Sequence, residues 1–598
     1  MGHIANKIDA EDKKLSEVLF GKRYRIDAFQ REYRWQRKQI EALISDLSLS
    51  FLKSYKKGDE IEDYTEYDCY YMGPIVLCEE KTELSIVDGQ QRLTSFTLLL
   101  IYLLHAQDKL EIPEEIKKDF TQYLYVSKAG KKTLVLNVDK RNSVINHLIA
   151  NPDILYNSED NIVEDTDNSL ETLTDESIIN ILSRYEDIET FFPIEINNPD
   201  TLPIFIEWLL DKVVLVEVKA HSMENAYSIF ETMNDRGLTL NPSEILKGYL
   251  LSQINDDEKS EEANEFWRKR VAKIKNVTAS ENSDMDFFRA WFRAKYAVTK
   301  RKSGKDSTNE DFELIGTNFH TWIKNNREKV YLKTSDDFYF FIKSDFDFYS
   351  DLYLKLFELK NNSTKEFDDI YISSFYPIAD SLFYPLLMSS VSKIDDLDNI
   401  DEKIKIVGKF VDVYINSRTL NGKSITQTGI RNSIYDLVRN IRDVNSFELR
   451  PYLNELLEDT DSIQALFPMN NWGFYHYFFS RIIYHFDDSE DFSELQRSRK
   501  QRSYILVRIF GEEEIPEDYE ESRLHAFINS VANHCLIRRN DYEEVFRRGG
   551  LRRMKYLQKQ SYIPEMSEYT FDEHWSIGDF IGTRDNKLRE LVSEIWDF

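Results

Sequence analysis

A chain of 598 residues is longer than one hydrophobic core organises, and roughly two to four domains are expected. With 41% hydrophobic residues it has ample core material, and only 13 prolines and 19 glycines leave little for linkers. A formal charge of −29 excludes a uniformly cationic surface, no apolar run reaches the roughly 18 residues of a spanning helix, and three scattered cysteines (Cys69, Cys78, Cys535) exclude a disulfide framework or zinc ribbon. Residues 1–14 are polar and contain no apolar signal segment, so a soluble cytoplasmic protein with no membrane partner is expected.

The first hundred residues read as mixed α/β. A strand is predicted over 24–26, leading into Phe29-Gln30-Arg31-Glu32-Tyr33-Arg34-Trp35. Ile40, Leu43, Ile44 and Leu47 then follow at helical spacing. Further strands are predicted over 70–77, interrupted by Gly73-Pro74, and over 84–87, which runs into Asp88-Gly89-Gln90-Gln91-Arg92. Residues 93–106 are apolar nearly all round, the pattern of a helix buried in a core. Residues 107–200 look less regular, and the acidic, Asn/Thr-rich stretch 157–177 reads as an exposed loop or insertion. A β-branched run over 213–218 predicts one more strand. From 224 to about 479 amphipathic patterns predict helices, and the last hundred residues return to a mixed, arginine-rich composition.

Charge is uneven. Residues 22–38 hold seven basic side chains against two acidic ones, and residues 537–560 hold eight against three. Each island is either a solvated charged face or part of a polyanion site. In the second, Arg538, Arg539, Arg547, Arg548, Arg552 and Arg553 are the candidate DNA contacts.

Three motifs carry candidate chemistry. In the first, Asp88 sits where a helix N-cap belongs, with Gln91 at capping-box spacing and Gly89 permitting a tight turn. A helix N-terminus attracts phosphate, and Arg92 in its first turn adds a guanidinium fork. Asp88 either caps the helix, competing with phosphate, or faces a ligand as metal ligand or base. In the second motif, Gln30, Arg31 and Arg34 alternate with Phe29, Tyr33 and Trp35. Such aromatics stack on bases beside phosphate-binding guanidiniums, or else anchor the loop to the core. In the third, Asn234-Asp235-Arg236-Gly237 reads as a turn, followed by a helix start at Asn241-Pro242-Ser243-Glu244. The turn either joins two helices or forms a second wall of a nucleotide pocket.

In order and spacing, over about residues 15–250, these motifs resemble the N-terminal domain of GmrSD-type restriction proteins. The resemblance implies an α+β, mostly helical protein. Its expected parts are a ParB/sulfiredoxin-like α/β nucleotide-binding domain over 1–240 with an insertion at about 155–180, a helical domain over 241–485 and an HNH-like mixed domain over 486–598. It implies a nucleoside triphosphate with Mg²⁺ as cofactor, foreign or modified DNA as partner, and anti-phage defence as the role. Asp88 and Arg92 would be catalytic, with Asp88 on the metal. Gly89, Gln90, Gln91, Arg92, Gln30, Arg31, Asn234, Asp235 and Arg236 would hold the nucleotide, and Tyr33 and Trp35 would line the pocket or a sensing surface.

In the C-terminal domain, residues 531–537 with Asn533, Asn540 and Lys555 (or Lys559) resemble the second half of an HNH nuclease motif. The upstream strand, expected near 503–510, contains no histidine to activate water. His525 and His534 lie nearby, outside the expected context, and read as surface or packing histidines. The alternative is therefore a catalytically incomplete sensor or scaffold that recruits a separate nuclease, with homo-oligomerisation left open.

Overall fold

The computed structural model describes residues 9–26, 33–79, 83–128, 131–150, 176–221, 225–226, 229, 242–301, 308–458, 472–489, 491–496, 503–514, 528–571 and 575–598. It is α+β and mostly helical. The chain divides into two compact units, 1–248 and 249–598. Among the described residues no helix is long and apolar enough to cross a membrane.

The first unit is built on a six-stranded mixed sheet in the order β1-β8-β3-β4-β2-β7. Its strands are β1 (Asp9–Lys14), β2 (Tyr24–Arg25), β3 (Tyr70–Glu79), β4 (Leu84–Asp88), β7 (Leu136–Asn137) and β8 (Val213–Ala220), with a separate hairpin of β5 (Tyr125–Lys128) and β6 (Lys131–Leu134). Its helices are α1 (Leu15–Leu19), α2 (Arg37–Ser54), α3 (Gln90–Lys109), α4 (Thr121–Leu124), α5 (Asp139–Ala150), α6 (Glu176–Phe191) and α7 (Leu202–Lys212).

Strands β3 and β8 run parallel through the middle of this sheet, Val76 opposite Val218. The β-branched composition of β8 suits a pleated surface with helices packed on it. The Gly73-Pro74 pair does not interrupt β3. The register with β8 shifts between Tyr71 and Gly73, and Gly73 takes φ +104°. A glycine at positive φ lets a strand absorb an extra residue as a bulge. Strand β4 lies antiparallel to β3 and parallel to β2, so the first two motifs leave the sheet from neighbouring strands.

Helix α3 is buried on nearly every side from Leu93 to Leu103, as its apolar pattern requires. The amphipathic α2 buries Ile40, Leu43, Ile44 and Leu47 in the same core. The described residues within 107–200 are more regular than their sequence implies, carrying α4, α5, α6 and the β5–β6 hairpin, and α7 follows directly. In α7, Ile204, Phe205, Ile206, Trp208, Leu209 and Leu210 are all buried, so no polar face marks its helical period. Strand β1 reads Asp-Ala-Glu-Asp-Lys-Lys and pairs antiparallel with β8 at the edge of the sheet, where charged side chains discourage further pairing. Of the acidic stretch, 157–175 lies outside the described residues, and Glu176 opens α6.

Among its described residues the second unit is helical from Asp257–Thr278 to Trp472–Phe486. Its many aromatics pack on one another, as where Trp291 stacks at 4.9 Å on Phe341 and at 5.3 Å on Tyr349. Two strands follow, β9 (Tyr504–Arg508) and β10 (His534–Arg538), paired antiparallel with His534 opposite Arg508. Short helices at Tyr542–Phe546 and Gly550–Lys559 and the long Ile577–Ile595 helix complete the unit. Phe478 and Ile482 share a core with Val507, Leu536 and Leu588, so elements on both sides of residue 486 pack together.

Candidate functional site

Strand β4 delivers Asp88 to the edge of a turn, and Gly89, not Asp88, is the N-cap of α3. Gly89 has φ +97°, and a Cβ there would meet Ile75 Cγ2 at 2.5 Å, so no other residue fits this turn. As a glycine it supplies no side-chain cap of its own. The capping box expected of Asp88 and Gln91 is therefore absent, because both side chains are turned to other partners. The Asp88 carboxylate accepts from the Gly89 N–H and, at 3.2 Å, from Arg92 Nη2. Burial holds its pKa above the ordinary aspartate value of 3.8, outweighing the pull of Arg92 and of the Gly89 amide. The Arg92 guanidinium, itself largely buried, crosses β3 at its bulge, where a Cβ on Gly73 would stand 2.8 Å from Nη1. Gly73 thus leaves room for the Arg92 guanidinium, and Gly89 lets the turn pack against Ile75.

Gln91 turns the other way. Its Oε1 accepts from the backbone N–H of Arg34 at 2.9 Å and of Trp35 at 3.3 Å. Tyr33 is fully buried, and its hydroxyl meets Ser95 Oγ at 2.8 Å. That corrects its expected place on a sensing surface: the ring anchors the segment to α3. Trp35 is half-buried against the same core.

Helix α6 grips the segment from the opposite side. Asn180 Nδ2 donates to Tyr33 O at 2.9 Å, and Arg184 Nη1 donates to Trp35 O at 3.1 Å. Arg184 is itself held by Asp187 at 2.5 Å, and Asp187 also pairs with Arg37. The exposed Arg34 side chain reaches Glu244 at 3.4 Å, near the start of the Pro242–Ser252 helix, where Pro242 holds the first helical position as expected. Sequence reading missed Asn180, Arg184 and Asp187. Their spacing of four and three residues, which places them on one helix face, is the only signal they leave.

The fold thus brings the turn, the Tyr33–Arg34–Trp35 segment and the helix after the third motif around the N-terminus of α3. Gln90 is buried in the first turn. Gln30, Arg31, Asn234, Asp235 and Arg236 lie outside the described residues, as does His525.

Residues 14–251 match the family model of the GmrSD restriction endonuclease, N-terminal domain. The first unit carries a GmrSD N-terminal domain. The match runs from the end of β1 into the last turn of the Pro242–Ser252 helix, so the GmrSD domain and the compact unit nearly coincide. No curated protein matches the chain. Within the GmrSD domain three of the seven basic residues of the first island make ion pairs, Arg23 with Glu83 and Arg37 with Asp187 besides Arg34 with Glu244.

In the second unit, Arg538, Arg539, Arg547 and Arg552 are exposed, as are Asn540 and Lys555. Of these, Arg538 donates through Nε to the Tyr504 hydroxyl at 3.1 Å, and two other members of the second island are more fully engaged. Arg553 is buried and donates to Ile509 O at 2.6 Å and to Glu514 at 2.7 Å, and Arg548 pairs with Glu544 at 2.7 Å. Asn533 is fully buried. It accepts from the Phe510 N–H at 3.0 Å and donates to Phe510 O and Ile528 O, bracing the chain at the end of β9. His534 stacks on Tyr475 and bonds through Nδ1 to Ser530 O at 2.8 Å, and burial lowers its pKa to about 4. It is a neutral packing histidine. Among the described residues no group of three or more His, Cys, Asp or Glu side chains converges on a metal-sized site.

Proposed function

We propose that the GmrSD domain binds a nucleoside triphosphate at the N-terminus of α3 and hydrolyses it with Asp88 and Arg92, and that the protein uses this step to act on foreign or modified DNA in anti-phage defence. One observation carries the reading: beside the N-terminus of α3, behind a turn that requires glycine at position 89, a partly buried carboxylate–guanidinium pair lies against Gly73. A structural cap alone would need neither the guanidinium nor the glycine at position 73.

The residues fit Mg²⁺ held by one carboxylate and the phosphates. Mg²⁺ keeps much of its shell as water and phosphate oxygens, so a three-carboxylate cage is not required. Asp88 would hold the ion, whose charge would offset that of the phosphates. Arg92 would take a phosphate oxygen through its planar fork, and the helix end would add its positive dipole. Asp88, freed from Arg92 when phosphate draws the guanidinium away, would orient or deprotonate water.

The second unit supplies the DNA contact in this reading. Arg538, Arg539, Arg547 and Arg552 are exposed, as are Lys555 and Lys559, and so is Tyr542 within the same stretch of sequence. The pair β9–β10, braced by Asn533 and followed by short helices, supports a remnant of an HNH scaffold. The buried state of His534 favours a second reading of that part, in which the chain senses DNA and a separate nuclease cuts it.

Phosphate release by the full chain with Mg²⁺ and each nucleoside triphosphate in turn is the test. Turnover with at least one nucleotide is expected, falling by about a hundredfold or more in Asp88→Ala and Arg92→Ala, the scale of losing a transition-state contact. Turnover unaffected by both substitutions would place the chemistry elsewhere.

A further inference from the structure

We infer that Gln91 is a positioning residue, clamping the Tyr33–Arg34–Trp35 segment as a wall beside the turn through its carbonyl oxygen, with Asn180 and Arg184 of α6 as the opposing jaw. This rests on the nucleotide reading above and changes the role of one residue within it. Adjacent side chains in the first turn of α3 divide the labour: Arg92 faces Asp88, and Gln91 faces the segment.

The geometry is that of a two-sided grip on backbone. From one side the single acceptor Gln91 Oε1 takes two successive amide protons, those of Arg34 and Trp35. From the other, Asn180 and Arg184 donate to the carbonyls of Tyr33 and Trp35. Tyr33 supplies a pivot beneath, through its buried hydroxyl on Ser95, whose own hydroxyl donates to Gln91 O at 2.9 Å. Three consecutive residues are therefore fixed through main-chain groups, leaving the exposed Arg34 side chain to reach Glu244. Backbone capture holds position without reading side-chain identity, as expected of a device that sets geometry. Asp187 keeps Arg184 extended toward the segment and ties Arg37 into the same cluster.

A clamp of this kind needs an acceptor at position 91 and no donor. Glutamate therefore serves it, whereas a Gln91 that donated its amide to a phosphate would be replaced by a repelling carboxylate. Steady-state turnover of Mg-ATP, Mg-GTP, Mg-CTP and Mg-UTP by the full chain separates the two. In Gln91→Leu, kcat is expected to fall about tenfold or more while KM changes less than about threefold, since misplacement by an ångström costs catalysis more than binding. Gln91→Glu should recover most of that loss, and Asn180→Ala should reproduce it from the far side of the segment. Should Gln91→Leu not fold, Gln91→Glu and Asn180→Ala carry the same comparison. A Gln91→Glu variant as impaired as Gln91→Leu, with KM raised, overturns the clamp in favour of a ligand contact. So do Gln91→Leu and Asn180→Ala variants that turn over like the unaltered protein. If the unaltered protein turns over none of the four nucleotides, the nucleotide reading itself fails and takes the clamp with it.

Discussion

At the scale of the residue, Asp88 is held in a state that costs the fold something. Its folded pKa lies above the ordinary value because burial outweighs the attraction of Arg92. The ionised carboxylate therefore lowers stability at pH values above that folded pKa, and the penalty fades as pH falls through it. Asp88→Asn is accordingly expected to melt at or above the temperature of the unaltered protein at pH 7, while losing nucleotide turnover, and thermal denaturation beside an activity assay checks both. The same shift sets the acid limb of the pH–rate profile. On the proposed mechanism Asp88 must be ionised to hold Mg²⁺ or take a proton, so turnover should fall on acidification at a pH above the ordinary aspartate value. More Mg²⁺ should move that limb lower, because a cation favours the charged form. A limb indifferent to Mg²⁺ would remove Asp88 from the metal.

At the scale of the element, the turn between β4 and α3 depends on two glycines that fail in different ways when substituted. Gly89→Ala meets both a left-handed backbone and the Ile75 side chain at 2.5 Å, and about 2 kcal/mol or more of stability should be lost in denaturant unfolding. Gly73→Ala faces a comparable backbone penalty at φ +104°, but its new methyl group meets the movable end of Arg92. That variant should fold better than Gly89→Ala and bind nucleotide worse than its stability explains.

Much of this architecture is legible in sequence. The β-branched run of β8, the alternation in α2 and the apolar α3 each follow from a single dominant period. Strand β1 and helix α7 do not, because a polar edge strand and a helix apolar all round show no contrast between faces. The site divides the same way. The Asp88 turn is a local pattern, and its chemistry can be anticipated. The true partner of Gln91 lies 57 residues away and that of Tyr33 O 147 residues away, so no spacing rule reveals the clamp. Local rules also placed Asp88 at the cap, whereas Gly89 holds that position and the Asp88 carboxylate pairs with Arg92 four residues on.

At the scale of the whole molecule, a chain of net charge −29 must bind DNA through a restricted surface or not at all. The exposed arginines of the second unit are the candidates, and burial separates them from Arg553, which the composition alone could not do. Replacing Arg538, Arg539, Arg547 and Arg552 together by glutamine should weaken duplex DNA binding and make its logarithmic salt dependence shallower by up to about 3 to 4 units, near 0.9 per lost phosphate contact. Arg553→Gln should instead lower stability, since it empties a buried donor site on Ile509 and Glu514. Equal salt slopes for the quadruple variant and the unaltered protein would move the DNA surface elsewhere.

Triphosphate binding at the α3 N-terminus through Arg92 is open to direct measurement. Isothermal titration of each Mg-nucleotide into the full chain, with Arg92→Ala alongside, addresses it without requiring turnover. Saturable binding of a triphosphate, weakened at least about tenfold by Arg92→Ala with the fold intact, is the predicted result. Equal affinity in the two proteins would contradict it.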